Sequence, residues 1–250
     1  MKMKISLSVE SYSGVDGSSL SEVRCNQILL IYNMLENLGE KRITYVGLQE
    51  LADQYKIFGK TKAGSAVRTF FPLLRKLGFV NYDNQFPANK CFTEAGKTFV
   101  LAIRAISMVQ DDTPHKDEVL SRLKSIKSDA IKQGIIHMNH DPELKNHNIW
   151  IALKLLSEFT VIDWNEFLYV LHRFEEDEDT DLDAVIAYIR DNREKIASYE
   201  FTNMDGKPLP NTCYSYIRGL LVEAGLITRV SNRTSKITSE ANFFFKQISL

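Results

Sequence analysis

The chain has few cysteines, no long apolar run and almost no net charge. Its three cysteines, Cys25, Cys91 and Cys213, are far apart and form no C-x-x-C pair, which argues against a disulfide framework or a zinc knuckle. A reducing cytoplasm is therefore the expected compartment. No apolar run approaches the roughly 18 residues needed to span a bilayer, and the first residues lack the apolar segment of a secretory signal. We expect a cytoplasmic protein with no membrane partner.

Signatures of catalysis are also missing from the sequence. There is no phosphate-binding glycine loop, nucleophile elbow or kinase signature. His137, His140 and His147 cluster near Asp141, but they lack the fourth patterned ligand of a closed zinc site. The Glu-x-Lys at residues 143–145 resembles the end of a nuclease site, yet its surroundings do not provide the second acid on an adjacent strand that Mg²⁺ needs. We therefore predict no catalytic residue, metal site or cofactor in this chain.

Charge is unevenly distributed along the chain. The overall charge is −1, with 31 Lys and Arg against 32 Asp and Glu, which argues against a general polyanion binder. However, residues 56–80 contain six basic residues and no acidic one, and residues 207–238 contain five basic residues and one acidic one. The acids collect instead at residues 175–183, where we expect a solvated loop that would repel phosphate.

Apolar residues recur at helical spacing over most of the chain, interrupted by short strand-like stretches. This pattern predicts a mainly α protein with small β-wings, in which tandem winged helix-turn-helix modules are joined by a helical linker. The predicted divisions are residues 1–110 for the first winged-helix subdomain with an N-terminal arm, 111–148 for the linker, and 149–250 for the second subdomain. Ser65 is predicted to cap the first recognition helix, which Pro72 should bend.

An internal repeat is the main support for two modules. Leu-Gly-Phe-Val at residues 77–80 and Ala-Gly-Leu-Ile at 224–227 each follow a predicted helix, and each leads through a polar turn to a threonine that opens another helix. The two glycines, Gly78 and Gly225, are 147 positions apart, and the threonines, Thr93 and Thr238, are 145 apart. A glycine at a helix end adopts the left-handed conformation and turns the chain into a hairpin. Helix, glycine and hairpin predict a recognition helix and its wing.

Polar and basic residues of these two regions are the predicted DNA contacts. In helix-turn-helix proteins the second helix of the motif enters the major groove with its N-terminal residues at the base edges. Arg, Asn, Ser and Thr can read bases there, whereas Lys60, Lys62, Arg233 and Lys236 are better placed to contact phosphate. The predicted partner is double-stranded DNA with a short specific site. The predicted DNA-binding residues are Lys60, Lys62, Ser65, Arg68, Thr69, Arg75, Lys76, Asn89, Lys90, Asn211, Thr212, Tyr214, Ser215, Arg218, Arg229, Arg233 and Lys236.

The transition from Leu-Gly-Phe-Val at 77–80 to Phe-Thr-Glu-Ala-Gly-Lys at 92–97 is similar to one in a known family, as is Asn-Arg-Glu-Lys-Ile at 192–196 before the second unit. From about residue 20 to its end, the chain resembles the N-terminal recognition regions of type II, type IIS-like, restriction and nicking endonucleases, which cut outside a short asymmetric site.

The resemblance implies that this chain reads a duplex sequence while a separate nuclease domain or subunit, which would hold Mg²⁺, cuts it. The family's catalytic residues have no matching positions here. Because the chain stops soon after Phe243, Phe244 and Phe245, we expect a non-catalytic recognition domain of a longer restriction endonuclease, or a separately encoded specificity subunit.

Two other functions are compatible with paired winged helices. One is that of a plasmid replication initiator or transcriptional regulator, which should dimerise and favour palindromes or repeats because operator symmetry mirrors protein symmetry. The other is that of a protein-interaction module, which should show no salt-dependent binding to duplex DNA.

Overall fold

The computed structural model describes residues 3–8, 20–56, 58, 63–140, 147–210 and 212–248. Within these residues the protein is mainly helical with a few small sheets, which confirms the predicted class. In chain order the elements are β1 (Lys4–Leu7), α1 (Glu22–Leu38), β2 (Arg42–Ile43), α2 (Tyr45–Gln54), α3 (Ala63–Lys76), β3 (Phe86–Pro87), α4 (Glu94–Met108), α5 (Lys116–His140), α6 (His147–Glu158), β4 (Val161–Asp163), α7 (Trp164–Glu176), α8 (Leu182–Ala197), β5 (Glu200–Asn203), α9 (Thr212–Glu223), β6 (Ile227–Arg229), β7 (Thr234–Ile237) and α10 (Ser239–Gln247).

The chain forms two compact units. The N-unit comprises Asp16–Lys145, and the C-unit combines Met1–Val15 with Asn146–Leu250. No helix among the described residues has both the length and the apolar character needed to cross a bilayer.

The core of the N-unit is built on helix α3. The predicted apolar stripe is buried, with Phe70, Phe71 and Leu74 fully inaccessible to solvent. After this helix the chain runs out and returns as a hairpin-like segment over residues 79–93, where Val80 and Phe92 form a single antiparallel bridge. The sequence pattern predicts strands at residues 79–82 and 90–93, and that prediction is wrong. The returning chain instead forms a 3-10 turn at Ala88–Lys90, and β3 pairs antiparallel with β2.

The start of helix α3 also differs from the sequence-based prediction. The helix begins at Ala63, so Ser65 lies inside it and is not its N-cap. The N–H of Gly64 donates instead to Asp53 Oδ1 at 2.9 Å. A carboxylate from the end of α2 therefore satisfies a first-turn donor of α3. The helix continues through Pro72 to Lys76.

Helix α5 belongs to the N-unit, whereas the sequence-based division assigned residues 111–148 to a linker. It packs along α4, and a Cβ added at Gly134 would lie 3.0 Å or less from atoms of Leu77. The polar stretch from His137 to His147 predicts a loop, which is wrong for its first residues, since the helix extends to His140 and the His137 ring lies against Gly78. The rest of that predicted loop, residues 141–146, lies outside the described residues.

The C-unit includes the N-terminal strand, which the sequence-based division placed with the first subdomain. Strand β1 pairs in parallel with β5, with Ile5 opposite Phe201. Both side chains are buried, so this pairing covers apolar surface on each strand. A second, antiparallel sheet has the order β4-β7-β6. Helix α7 starts with a capping box between Asp163 and Glu166.

Candidate nucleic-acid interface

A hydrogen-bonded corner joins helix α3 of the N-unit to the segment that follows it. Gly78 has φ of 71° and donates its N–H to the Arg75 carbonyl at 2.9 Å, a left-handed helix end that favours glycine. The Thr93 hydroxyl donates to the Gly78 carbonyl at 2.7 Å and accepts from the Gly96 N–H at 3.1 Å. The Thr93 N–H donates to the Phe79 carbonyl at 3.0 Å. Thr93 thus ties the returning chain to the end of α3 while it caps α4.

The C-unit contains the same corner with the same bonds. Gly225 has φ of 69° and donates to the Val222 carbonyl at 2.9 Å. The Thr238 hydroxyl donates to the Gly225 carbonyl at 2.7 Å and accepts from the Ala241 N–H at 3.3 Å. The Thr238 N–H donates to the Leu226 carbonyl at 3.0 Å. The repeat seen in the sequence is therefore a repeat of hydrogen bonds, in which a glycine and a threonine fix how helix, hairpin and next helix meet.

The outer face of α3 carries the accessible cations of the N-unit corner. Ser65, Arg68 and Arg75 are exposed, and Thr69 is half-buried with its hydroxyl donating to the Ser65 carbonyl at 2.9 Å. Lys76 is half-buried at the end of the helix. Within the described part of the chain, neither Arg68 nor Arg75 has a hydrogen-bonded or ion-paired side-chain partner. These two guanidinium groups therefore keep their donors available for a ligand.

An aromatic stack holds Arg75 in place. The Arg75 guanidinium lies 5.2 Å from the centroid of the Tyr82 ring, and Tyr82 stacks on Tyr45 at 4.6 Å with 14° between the rings. Stacking uses the π face of a guanidinium and leaves its in-plane N–H donors unoccupied. The stack borders an open cleft of about 540 Å³ that also includes the start of α2 and the exposed turn at Asp83 and Asn84.

Tyr45 remains a neutral phenol under ordinary conditions. Burial, and then the neighbouring Tyr82 phenol, raises the pKa of Tyr45 to about 12, while Arg68 opposes the shift. Its hydroxyl is buried and has no hydrogen-bond partner among the described residues. The Tyr45 side chain therefore places no negative charge beside Arg68 and Arg75, and their attraction for an anion is not weakened by it.

The remaining predicted residues of the N-unit lie in several different settings. Lys60 and Lys62 lie outside the described residues. Lys90 is exposed within the hairpin-like segment. Asn89 is half-buried; its N–H donates to the Gly39 carbonyl at 2.9 Å, and its Oδ1 is buried with no partner among the described residues. Asn89 is therefore less accessible than a base-reading amide needs to be.

Arg218 of the C-unit is a structural residue, which corrects its assignment as a base reader. It is only 5% exposed, and its guanidinium donates to the carbonyls of Asn232 at 2.5 Å, Thr234 at 2.9 Å and Ser231. Burial, and then the nearby Arg229 charge, lowers the pKa of Arg218. Its donors face inward to the tip between β6 and β7, so they hold the hairpin and are not presented to a ligand.

Two more predicted contacts of the C-unit have partners within the chain. Arg233 forms an ion pair with Asp163 at 3.0 Å and donates to the Ala197 carbonyl at 3.0 Å. Tyr214 is half-buried and stacks on Trp164, with ring centroids 5.2 Å apart and 11° between the planes. Arg233 is thus exposed but already paired with an acid, and its role as a phosphate contact stays a prediction.

The accessible residues of the C-unit corner lie mainly on the hairpin. Arg229 on β6 and Lys236 on β7 are exposed. On α9, Thr212 is exposed and Ser215 half-buried, while Asn211 lies outside the described residues. The sequence predicts Asn211 or Thr212 as the cap of α9, but Thr212 is the first residue of the helix and not its cap.

Sequence reasoning missed the aromatic stack under Arg75. Tyr45 and Tyr82 are 37 positions apart, one at the start of a helix and one in an irregular stretch, so no periodicity links them. The only signal was the residue type itself, because tyrosine often stacks with arginine.

The chain matches no protein-family model, no curated protein and no solved structure.

Proposed function

We propose that this chain binds double-stranded DNA at a specific sequence through a winged-helix module in each unit. The order of elements supports this proposal. In the N-unit, helix α1 leads through β2 to α2 and α3, and β3 in the following segment pairs back onto β2. In the C-unit, α6, β4 and α7 precede α9 and the β6–β7 hairpin, and β7 pairs back onto β4. That order, with α8 and β5 inserted in the C-unit, is the order of a winged helix-turn-helix.

The observation that carries the proposal is a pair of arginines on α3 whose side chains have no hydrogen-bonded or ion-paired partner among the described residues. Arg68 and Arg75 are exposed on a helix that lies in a stretch with no acidic residue. Arginine can make two hydrogen bonds to guanine in the major groove, and serine and threonine can serve bases or phosphate. Ser65, Arg68 and Thr69 occupy the first two turns of α3, where a recognition helix meets base edges. Arg75 lies at its far end, beside the hairpin-like segment, where phosphate contacts are usual.

The resemblance seen in the sequence suggests the biological setting. The proposal is that the chain is the recognition part of a type II restriction endonuclease, with Mg²⁺ and the cutting chemistry supplied by another domain or subunit. A recognition part of this kind should bind one asymmetric site as a monomer. An initiator or regulator should bind palindromes or repeats as a dimer.

Selection from a random pool of duplex DNA tests the function. We expect one short asymmetric sequence to enrich, and the binding constant for it to fall as salt rises, since phosphate neutralisation releases counterions. Arg68→Ala should relax the preference at one position of the selected site. Arg122→Ala is the matched control, because Arg122 is an exposed helical arginine of the same unit that already pairs with Glu118 at 2.6 Å.

Other outcomes would decide against parts of the proposal. A palindromic winner bound by a dimer would favour an initiator or regulator over the restriction setting. If no sequence enriches and binding to any duplex is independent of salt, DNA binding itself is wrong, and a protein-interaction module becomes the better interpretation.

A further inference from the structure

We infer that the two units contact DNA through different elements. The N-unit reads bases with α3, whereas the C-unit contacts phosphate with its β6–β7 hairpin and reads no base with α9. This inference rests on the proposed function and goes beyond it, because the repeat alone suggests two equivalent readers. It identifies which residues determine sequence preference and which contribute only affinity.

The cations of α3 have no counterparts on α9. The Gly78 and Gly225 corners carry the same hydrogen bonds, so they give a structural alignment of the two helices that precede them. When positions are counted back from those glycines, every basic residue of α3 aligns with a residue of α9 that has no positive charge. The aligned pairs are Arg68 with Ser215, Arg75 with Val222, and Lys76 with Glu223.

The single arginine of α9 faces the core. Helix α9 contains no other Lys or Arg than Arg218. In the same alignment Arg218 takes the position of Phe71, which is fully buried in the N-unit. Its three bonds to hairpin carbonyls follow from that inward direction. Helix α9 therefore presents neither a free guanidinium nor a lysine to the major groove.

The hairpin of the C-unit is well suited to contact phosphate. Arg229 and Lys236 are exposed, and neither side chain has a hydrogen-bonded or ion-paired partner within the residues that the structure describes. The hairpin beneath them is fixed, since Arg218 ties its tip and the Trp164 indole N–H donates to the Ser235 hydroxyl at 3.1 Å. Strand β7 also pairs with β4 on its other side. Two unpaired cations on a rigid hairpin can meet the DNA backbone, and contacts of that kind position a protein without reading sequence.

Three variants of the full chain separate the two roles. The first is Arg68→Ala, the second is the double variant Arg229→Ala with Lys236→Ala, and the third is the double variant Thr212→Ala with Ser215→Ala. For each, selection gives the base preference, and titration of the wild-type winning duplex at several salt concentrations gives the affinity and the salt slope. Arg190→Ala is a control for loss of one C-unit charge, because Arg190 is exposed and pairs with Glu158 at 3.1 Å.

Each variant has a distinct expected result. Arg68→Ala should lose roughly 5- to 150-fold affinity for the winning duplex and accept other bases at one position. The hairpin double variant should weaken binding equally on all sequences and make the salt slope shallower by about 2. The variant of Thr212 and Ser215 should leave preference and slope unchanged. Tryptophan fluorescence checks that C-unit variants are folded, since Trp150 and Trp164 both lie in that unit.

The results that overturn this inference differ from those that overturn DNA binding. If the variant of Thr212 and Ser215 alters base preference, α9 is a reader and the inference is wrong. If the folded hairpin variant keeps the wild-type slope, the hairpin does not contact phosphate and the inference is also wrong. If the wild-type protein shows no salt-dependent duplex binding, the proposed function itself fails.

Discussion

Replacing Arg218 with methionine should destabilise the C-unit and leave the base preference of the protein unchanged. Methionine keeps much of the apolar stem but removes the guanidinium that donates to the carbonyls of Ser231, Asn232 and Thr234. The carbonyls of Ser231 and Asn232 then need another donor, whereas the Thr234 carbonyl still accepts from the N–H groups of Val230 and Ser231. The hairpin tip therefore loses the hydrogen bonds by which the guanidinium holds it against α9.

The size of the effect follows from what happens to those three carbonyls. A hydrogen bond from a charged donor contributes about 1.5–3 kcal/mol, so the gross loss exceeds that of any single bond. Ser231 and Asn232 are exposed, and water can replace the donor at both of their carbonyls. Removing the Arg218 charge also removes its repulsion with Arg229, which offsets a further part of the lost free energy. We expect a net loss of about 2–3 kcal/mol in the free energy of unfolding.

Urea unfolding followed by tryptophan fluorescence measures this effect in the right unit. Both tryptophans, Trp150 and Trp164, lie in the C-unit, so the signal does not report on the N-unit. Arg229→Met is the matched control, because Arg229 is exposed and its replacement should change stability by less than about 0.5 kcal/mol. An unchanged midpoint for Arg218→Met, together with a changed base preference, would refute the structural role and restore Arg218 as a reader.

Two further substitutions and one labelling experiment test the packing and the titration of buried groups. In the N-unit, Gly96→Ala places a Cβ 1.9 Å from a carbonyl oxygen of the corner and should cost about 3 kcal/mol in urea unfolding followed by circular dichroism. Arg193→Met removes the ion partner of Glu166, whose side chain is 1% exposed, and should destabilise the C-unit by about 3 kcal/mol. Burial raises the pKa of Cys91 and of Cys213 to about 12, so iodoacetamide at pH 8 should modify these thiols only after unfolding. Because their folded pKa lies above the ordinary value of 9.0, their contribution to stability is complete below pH 9 and is lost as pH rises towards 12.

Each of these expectations has a control and a contrary result. Ala95→Gly, at an exposed position one residue before Gly96, should be far milder than Gly96→Ala, and equal effects would contradict the close approach. Arg190→Met should be nearly neutral beside Arg193→Met, since Arg190 pairs on the surface with a partly exposed acid. Rapid labelling of Cys91 or Cys213 in the folded protein would contradict their burial.

Local features of the fold could be predicted from the sequence, whereas features that join distant residues could not. The corner at Gly78 and Thr93 was predicted because its bonds join residues fifteen positions apart within one recognisable pattern. The cap of α3 was assigned to Ser65 and is wrong, since Asp53 of the preceding helix reaches that turn. The pairing of β1 with β5 spans 196 positions, and no short-range pattern records it.

The candidate site shows the same division. Arg68 and Arg75 were predicted from their position off the apolar stripe of α3, and the structure leaves both exposed. Arg218 was chosen for its residue type, although aligning the repeats would have set it against Phe71, a core position. The stack of Tyr45 and Tyr82 depends on how α2 and the hairpin-like segment meet, which is a matter of tertiary packing.

The most direct test of DNA binding by the α3 face is the salt dependence of duplex binding, measured by fluorescence anisotropy. A range of about 50 to 200 mM salt is suitable, because the affinity of proteins for DNA changes strongly over it. We predict that the logarithm of the binding constant falls linearly with the logarithm of salt concentration. Combining Arg68→Ala, Arg75→Ala and Lys90→Ala should make that slope shallower by about 2–3, while Arg122→Ala leaves it unchanged. A wild-type protein whose duplex binding does not depend on salt, or a triple variant with the wild-type slope, would contradict the proposal that this face binds DNA.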